Sequence, residues 1–312
     1  MHTRRGFTLT ELITTLVIGA TAGCLAAVAV GLQPEPEEKQ PVVSGDPEVI
    51  RAQKEKLALE RQLKDATHVR GLQQALIIHA QNNKDRYPLP SQYDLKDDTV
   101  KALGAEKDTT ANIYSLLLFN GYISPEMLVS PAESNDKIKA CETYEYDRPR
   151  KAANPPMALW DPGFSADFSD GNTGNASYAH LMPSKPRHPL WSCTFDATQP
   201  VVGNRGPRVS GVTYQGEPGK RTATPEINGK SRTFAIHGPP ETWEGNIAFA
   251  DGHVEFMTQM THAKRAFKNE KDEALPDVLF LNEDTDPADT NIILGIFTHA
   301  GPTTRNFRAI WD

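Results

Sequence analysis

The hydrophobic pattern of the chain begins with a short polar stub and then an uncharged run. From Leu12 to Leu32 there are 21 residues without an Asp, Glu, Lys or Arg. At ~1.5 Å of rise per residue such a run spans about 30 Å as a helix, the depth of a bilayer core, and it exceeds the ~7–15 residues of a secretory-signal core. The pattern predicts a transmembrane helix over residues 7–32, with the remainder of the chain on one side. Residues 33–47 (QPEPEEKQPVVSGDP) then turn rich in Pro and Glu. Interior prolines lose a backbone donor and clash with the preceding turn, so this stretch is predicted to be a linker.

A helix is predicted next, over 48–84, with Asp46 as its cap and Pro47 at the first helical position. Leu59, Leu63, Ala66, Val69, Leu72, Leu76 and Ala80 recur at spacings of three and four, which predicts an apolar stripe packed on a sheet. Lys54, Lys56, Glu60, Arg61, Lys64, Asp65 and Arg70 are assigned to the other faces. The segment Tyr87-Pro88-Leu89-Pro90 ends the helix. Residues 85–312 carry many Gly and Pro and only short apolar pieces, among them Tyr114–Phe119, Met127–Val129, Arg232–Ile236 and Asn246–Phe249, which predict short strands joined by long loops. Within them Asp251-Gly252 separates two short alternating stretches, a two-residue hairpin signal over 246–256 because glycine accepts positive φ freely. The residues after it, 257–312, form a tail without a predicted role.

Composition narrows the function classes. A net charge of −7 over 312 residues, with no clustered basic stretch, speaks against a nucleic-acid partner. There is no phosphate-binding Gly-x-x-x-x-Gly-Lys loop and no Gly-x-Ser-x-Gly elbow, so no motif argues for an enzyme. Of three cysteines, Cys24 lies in the apolar run. Cys141 and Cys193 can pair in an oxidising compartment or remain two thiols, and their spacing leaves both readings open. Two acidic loops are candidate calcium sites, one with Asp167, Asp170 and Asn172, the other with Asp284, Asp286 and Asp289. Hard oxygen donors at alternate loop positions suit that ion, although neither loop ends in a bidentate glutamate. No other cofactor is expected.

Two strings carry a family resemblance. The first is MHTRRGFTLTELITTLVIGA, with Arg4 and Arg5 ahead of Gly6-Phe7 and a lone carboxylate, Glu11, at the edge of the apolar run. Over about the first 30 residues it resembles the leader of bacterial type IV prepilins and type II secretion pseudopilins. The resemblance implies cleavage between Gly6 and Phe7 by a prepilin peptidase and N-methylation of Phe7. Glu11 would then help set register with neighbouring subunits, since a carboxylate at the membrane edge needs a partner such as a terminal ammonium. A twin-arginine export signal at Thr3–Phe7, cleaved after Ala27-Val28-Ala29, and a plain single-pass anchor are the competing readings. The second string, Phe249–Val254 (FADGHV), resembles the processing-associated motif of the same family, in which nine residues stand between a histidine and Asp-Gly. Here Asp251-Gly252 matches, and thirteen residues separate His237 from Asp251.

The resemblance and the patterning together imply an α+β, pilin-like fold: an N-terminal transmembrane helix, a linker, and an amphipathic helix packed on an antiparallel sheet with long loops. They imply a non-enzymatic structural subunit of a pilus-like or type II secretion assembly. Its partners would be the prepilin peptidase, other pilin or pseudopilin subunits and the inner membrane, with the C-terminal domain periplasmic or extracellular. The alternative is an anchored or exported binding protein or enzyme that uses the same export signal.

Overall fold

The computed structural model describes residues 47–283 and 291–312, leaving out the side chains of Ala263 and Lys264. The leader with Gly6, Phe7 and Glu11, the apolar run 7–32 and the linker up to residue 46 lie outside the described residues. Lys54–Asp312 gathers into one unit, separate from Met1–Gln53.

Helix α1 covers Pro47–Gln81 and helix α2 Pro90–Tyr93, followed by α3 at Thr110–Phe119 and α4 at Phe234–His237. The strands are β1 (Tyr178–Leu181), β2 (Pro200–Asn204), β3 (Val209–Gln215), β4 (Thr222–Ile227), β5 (Gly245–Phe249), β6 (Val254–Met257), β7 (Thr261–Lys268), β8 (Ala274–Val278), β9 (Leu294–His299) and β10 (Arg308–Ile310). Six of them form one antiparallel sheet in the order β10-β9-β1-β2-β5-β6, while β3–β4 and β7–β8 are separate two-stranded ribbons. The tail beyond Met257 is therefore integral to the fold. Its strand β9 pairs with β1 on one side and β10 on the other, continuing the large sheet.

Strands β1, β2 and β5 are buried at every position, so both faces of the sheet centre are covered and the in–out alternation of a half-exposed strand is lost. Val69, Leu72 and Leu76 of α1 share this core with Ile113, Tyr114 and Leu117 of α3 and with Ala179, Val202 and Ile247 of the sheet.

The expected fold class needs correction. Among the described residues there are four helices and ten strands in three sheets, mostly sheet in character, and no helix is long and apolar enough to cross a membrane. Tyr114–Phe119, expected as a strand, is helical. Thr109 accepts a hydrogen bond from the Asn112 amide as a helix cap, and residues 114–118 are buried one after another, Ser115 included, so the short run carries no periodicity that separates helix from strand. Arg232–Ile236 likewise leads into the single turn of α4. The stripe on α1 is only half buried: Val69, Leu72, Leu76 and Ala80 are inside, whereas Leu59 and Leu63 remain more than half exposed. At about 100° per residue, Leu63 is about 120° around the helix from Val69, while Asp65 is within about 40° of it. The core-facing row thus runs Asp65, Val69, Leu72, Leu76, and a carboxylate stands where the leucine pattern predicts a polar outer face.

Candidate functional site

Asp65 is fully buried and its carboxylate collects donors from four separate segments. Ser130 Oγ and Tyr178 Oη (2.8 Å) donate to Oδ1; His237 Nε2 (3.0 Å) and Asn246 Nδ2 (2.7 Å) donate to Oδ2. Asn246 is held in turn by the side chain of Asn204, whose Oδ1 accepts its backbone amide at 2.7 Å, and its own amide also reaches the Gln62 carbonyl at 3.2 Å. Helix α1, the loop before β1, β1 itself, α4 and β5 therefore meet at one charged atom pair.

The electrostatics follow from those contacts. Burial pushes the Asp65 carboxyl up, but the hydrogen bonds from His237 and Ser130, the charge His237 carries when protonated and the bond from Asn246 outweigh it and hold the group below its ordinary value. The Tyr178 hydroxyl is driven well above its ordinary value, first by burial and then by the Asp65 charge and the bond it donates to it.

His237 and Asp251-Gly252, the two parts of the sequence motif, are both ordered but do not touch each other. Asp251-Gly252 forms the β5–β6 turn. Gly252 has φ of +91°, its amide donates to the Phe249 carbonyl at 2.9 Å, and the Phe249 amide donates to the His253 carbonyl at 3.0 Å. Asp251 Oδ1 accepts from the His253 amide at 3.1 Å and lies 2.5 Å from its Nδ1, while the His253 ring stacks on Phe249 at 4.5 Å. At the open end of the same hairpin His237 sets its ring edge-on to Phe256, 5.9 Å away, and bonds Asp65. A Cβ on Gly252 would stand 3.5 Å from Ile77 Cδ1, so the turn end also lies against α1. The two ends of the motif dock on one helix twelve residues apart, about 18 Å along its axis.

This arrangement is a joint. Ser130 gives its hydroxyl hydrogen to Asp65 and not to His237, so the serine–imidazole contact that activates a hydroxyl nucleophile is not made. A groove of about 470 Å³ runs beside His237, bordered by Glu55, Leu59, Gln62, Glu244 and Phe256.

The other expected site residues do not join it. Cys141 and Cys193 are free thiols, each pushed up by burial, and they do not form the disulfide that was one of the two readings. Cys193 sits in the main core, and its amide donates to the Asp85 carbonyl; Cys141 borders a different cavity with Glu145, Arg150 and Asp161. In the loop with Asp167, Asp170 and Asn172 the two carboxylates are engaged by groups of the protein. Asp167 accepts from the Ser169 amide and from Asn172 Nδ2, both at 2.9 Å, and the Lys137 ammonium occupies Asp170 at 2.7 Å. Among the described residues no three His, Cys, Asp or Glu side chains are grouped to hold a metal. Asp284, Asp286 and Asp289 lie outside the described residues. Sequence reasoning missed Asp65, Ser130, Tyr178 and Asn246. The usable signal was the position of Asp65, one turn before Val69 on the buried row. Comparison with protein-family models, with curated proteins and with solved structures found no match for this chain.

Proposed function

We propose that the chain is a prepilin-type structural subunit. It is cleaved between Gly6 and Phe7 by a prepilin peptidase, held in the inner membrane by residues 7–32, and joined to other pilin or pseudopilin subunits with the domain from residue 48 onward outside the cytoplasm. The observation that carries the reading is the leader itself: Arg4-Arg5, Gly6-Phe7 and Glu11 at fixed offsets before 21 uncharged residues. The site geometry supports a structural role for the second resembling string, since His237 and Asp251-Gly252 are both engaged in fixing a hairpin against α1.

Mass spectrometry of the membrane-bound protein tests it. The expected product begins at an N-methylated Phe7. An intact Met1 terminus, or a chain that starts after Ala29, refutes the proposal.

A further inference from the structure

Four Asn-Gly or Asp-Gly pairs occur in the chain: Asn120-Gly121, Asp170-Gly171, Asn228-Gly229 and Asp251-Gly252. A glycine after Asn or Asp leaves its backbone nitrogen unshielded by a side chain, so that nitrogen can reach the preceding side-chain carbonyl. Whether it does depends on what else holds the two groups, and the structure treats the four pairs differently.

At Asn120 both reacting groups are tied. Its Nδ2 donates to the Leu116 carbonyl at 2.7 Å, and the Gly121 amide donates to the Leu118 carbonyl at 2.9 Å as the helix α3 terminus closes. Asp251 is engaged by His253, and the Gly252 amide is held by the Phe249 carbonyl at 2.9 Å. Asp170 is paired with the Lys137 ammonium, which keeps its carboxyl below the ordinary value; an ionised carboxylate is a poor target for a nitrogen nucleophile. Asn228-Gly229 shares exposure, a positive φ and open space at its glycine with Asn120-Gly121, and differs in its hydrogen bonds. It follows the last residue of β4, both residues are exposed, and neither makes a side-chain or loop hydrogen bond among the described residues. Gly229 has φ of +87°, and a Cβ placed on it would meet nothing within 4 Å, so the segment has room to close a ring.

We propose that Asn228-Gly229 is a site of spontaneous deamidation. The Gly229 nitrogen loses its proton to hydroxide and attacks Asn228 Cγ. The new C–N bond closes a five-membered succinimide as the side-chain nitrogen leaves, protonated, as ammonia. Water then opens either ring carbonyl, giving aspartate or isoaspartate. Nothing is oxidised or reduced, and the only co-reactant is water. The product carries one more negative charge beside Lys230, and the isoaspartate form adds a methylene to the backbone between β4 and the segment that leads into His237.

Peptide mapping of the full chain in detergent, incubated at mildly alkaline pH and sampled over days, reads the outcome. Conversion is expected at Asn228 ahead of Asn120, with a rate ratio of about thirtyfold, or ~2 kcal/mol of activation free energy. A parallel incubation in denaturant removes the hydrogen bonds at Asn120, and there the two sites should convert at similar rates. The rate at Asn228 should rise with pH. Comparable rates at both sites in the folded chain would overturn the proposal. So would an Asn228 that persists folded while the denatured chain converts.

Discussion

Asp65 and Glu283 are both among the buried carboxyl groups of the described residues, and they respond in opposite directions. Asp65 is held below its ordinary value, while Glu283 is pushed up to about 8 by burial and then by the charge of Asp277. Depth does not separate them. Asp65 accepts from four side chains, one of them an imidazole that can carry positive charge. Glu283 accepts from the Tyr214 hydroxyl at 3.2 Å and from Asn291 Nδ2 at 2.5 Å, both neutral, and its charged neighbour Asp277 has the same sign. Desolvation acts alike on both, so the surrounding donors decide which form of the acid the fold prefers. One group is a joint built for an anion. The other is a carboxyl kept neutral over most of the physiological range.

The largest effect expected from this difference is at Asp65. Asp65→Ala leaves four donors from four segments facing an empty space, the situation in which a broken buried network costs about 3–5 kcal/mol. Denaturant unfolding at neutral pH should show a loss of that size, with the denaturant dependence unchanged. A loss below about 1 kcal/mol would mean that the four contacts do not hold the helix to the sheet. His237→Ala should cost less, about 1–3 kcal/mol, because Asp65 keeps three donors and loses one. His237→Gln, which restores a donor, should recover part of that loss. If both variants are equally unstable, the Asp65 bond is not what His237 supplies.

How much of this was legible in the chain follows from the residues involved. The hairpin over Asp251-Gly252 was readable because a positive-φ turn leaves a local signature, and β5 and β6 formed around it at the expected place. Helix α1 was readable from propensity and its proline start, but its buried face was not. The leucines at 57, 59 and 63 continue the apolar pattern into a stretch that is exposed, and they hid the row on which Asp65 lies. The role of 257–312 was illegible for a different reason. Pairing β9 with β1 joins residues more than a hundred positions apart, and local patterning says nothing about such contacts. Asn246, Ser130 and Tyr178 share that difficulty, since each becomes part of the site only through the fold.

The last expected effect is at Glu283, small in acid and with the sharper pH signature. A carboxyl raised from 4.5 to about 8 binds its proton in the folded chain at pH values where the unfolded chain has released it. Stability from this group is therefore complete below about 4.5 and is lost as pH rises through about 8. Asp65 has the reverse sign: its contribution is complete above its ordinary 3.8 and is lost as pH falls below that value. Glu283→Gln replaces the neutral acid with a neutral amide of the same shape. Its carbonyl can accept from Asn291 Nδ2, as the acid does. Below about pH 4.5, where the acid is protonated in the folded and the unfolded chain alike, the variant should lie within about 1 kcal/mol of the parent. Between about pH 4.5 and about 8 the parent should lose stability while Glu283→Gln stays nearly level, so the curves diverge across that window and run parallel above it. Curves parallel across that window would show that Glu283 ionises freely in the folded chain, and the contrast with Asp65 would then reduce to a difference in donors without a difference in charge.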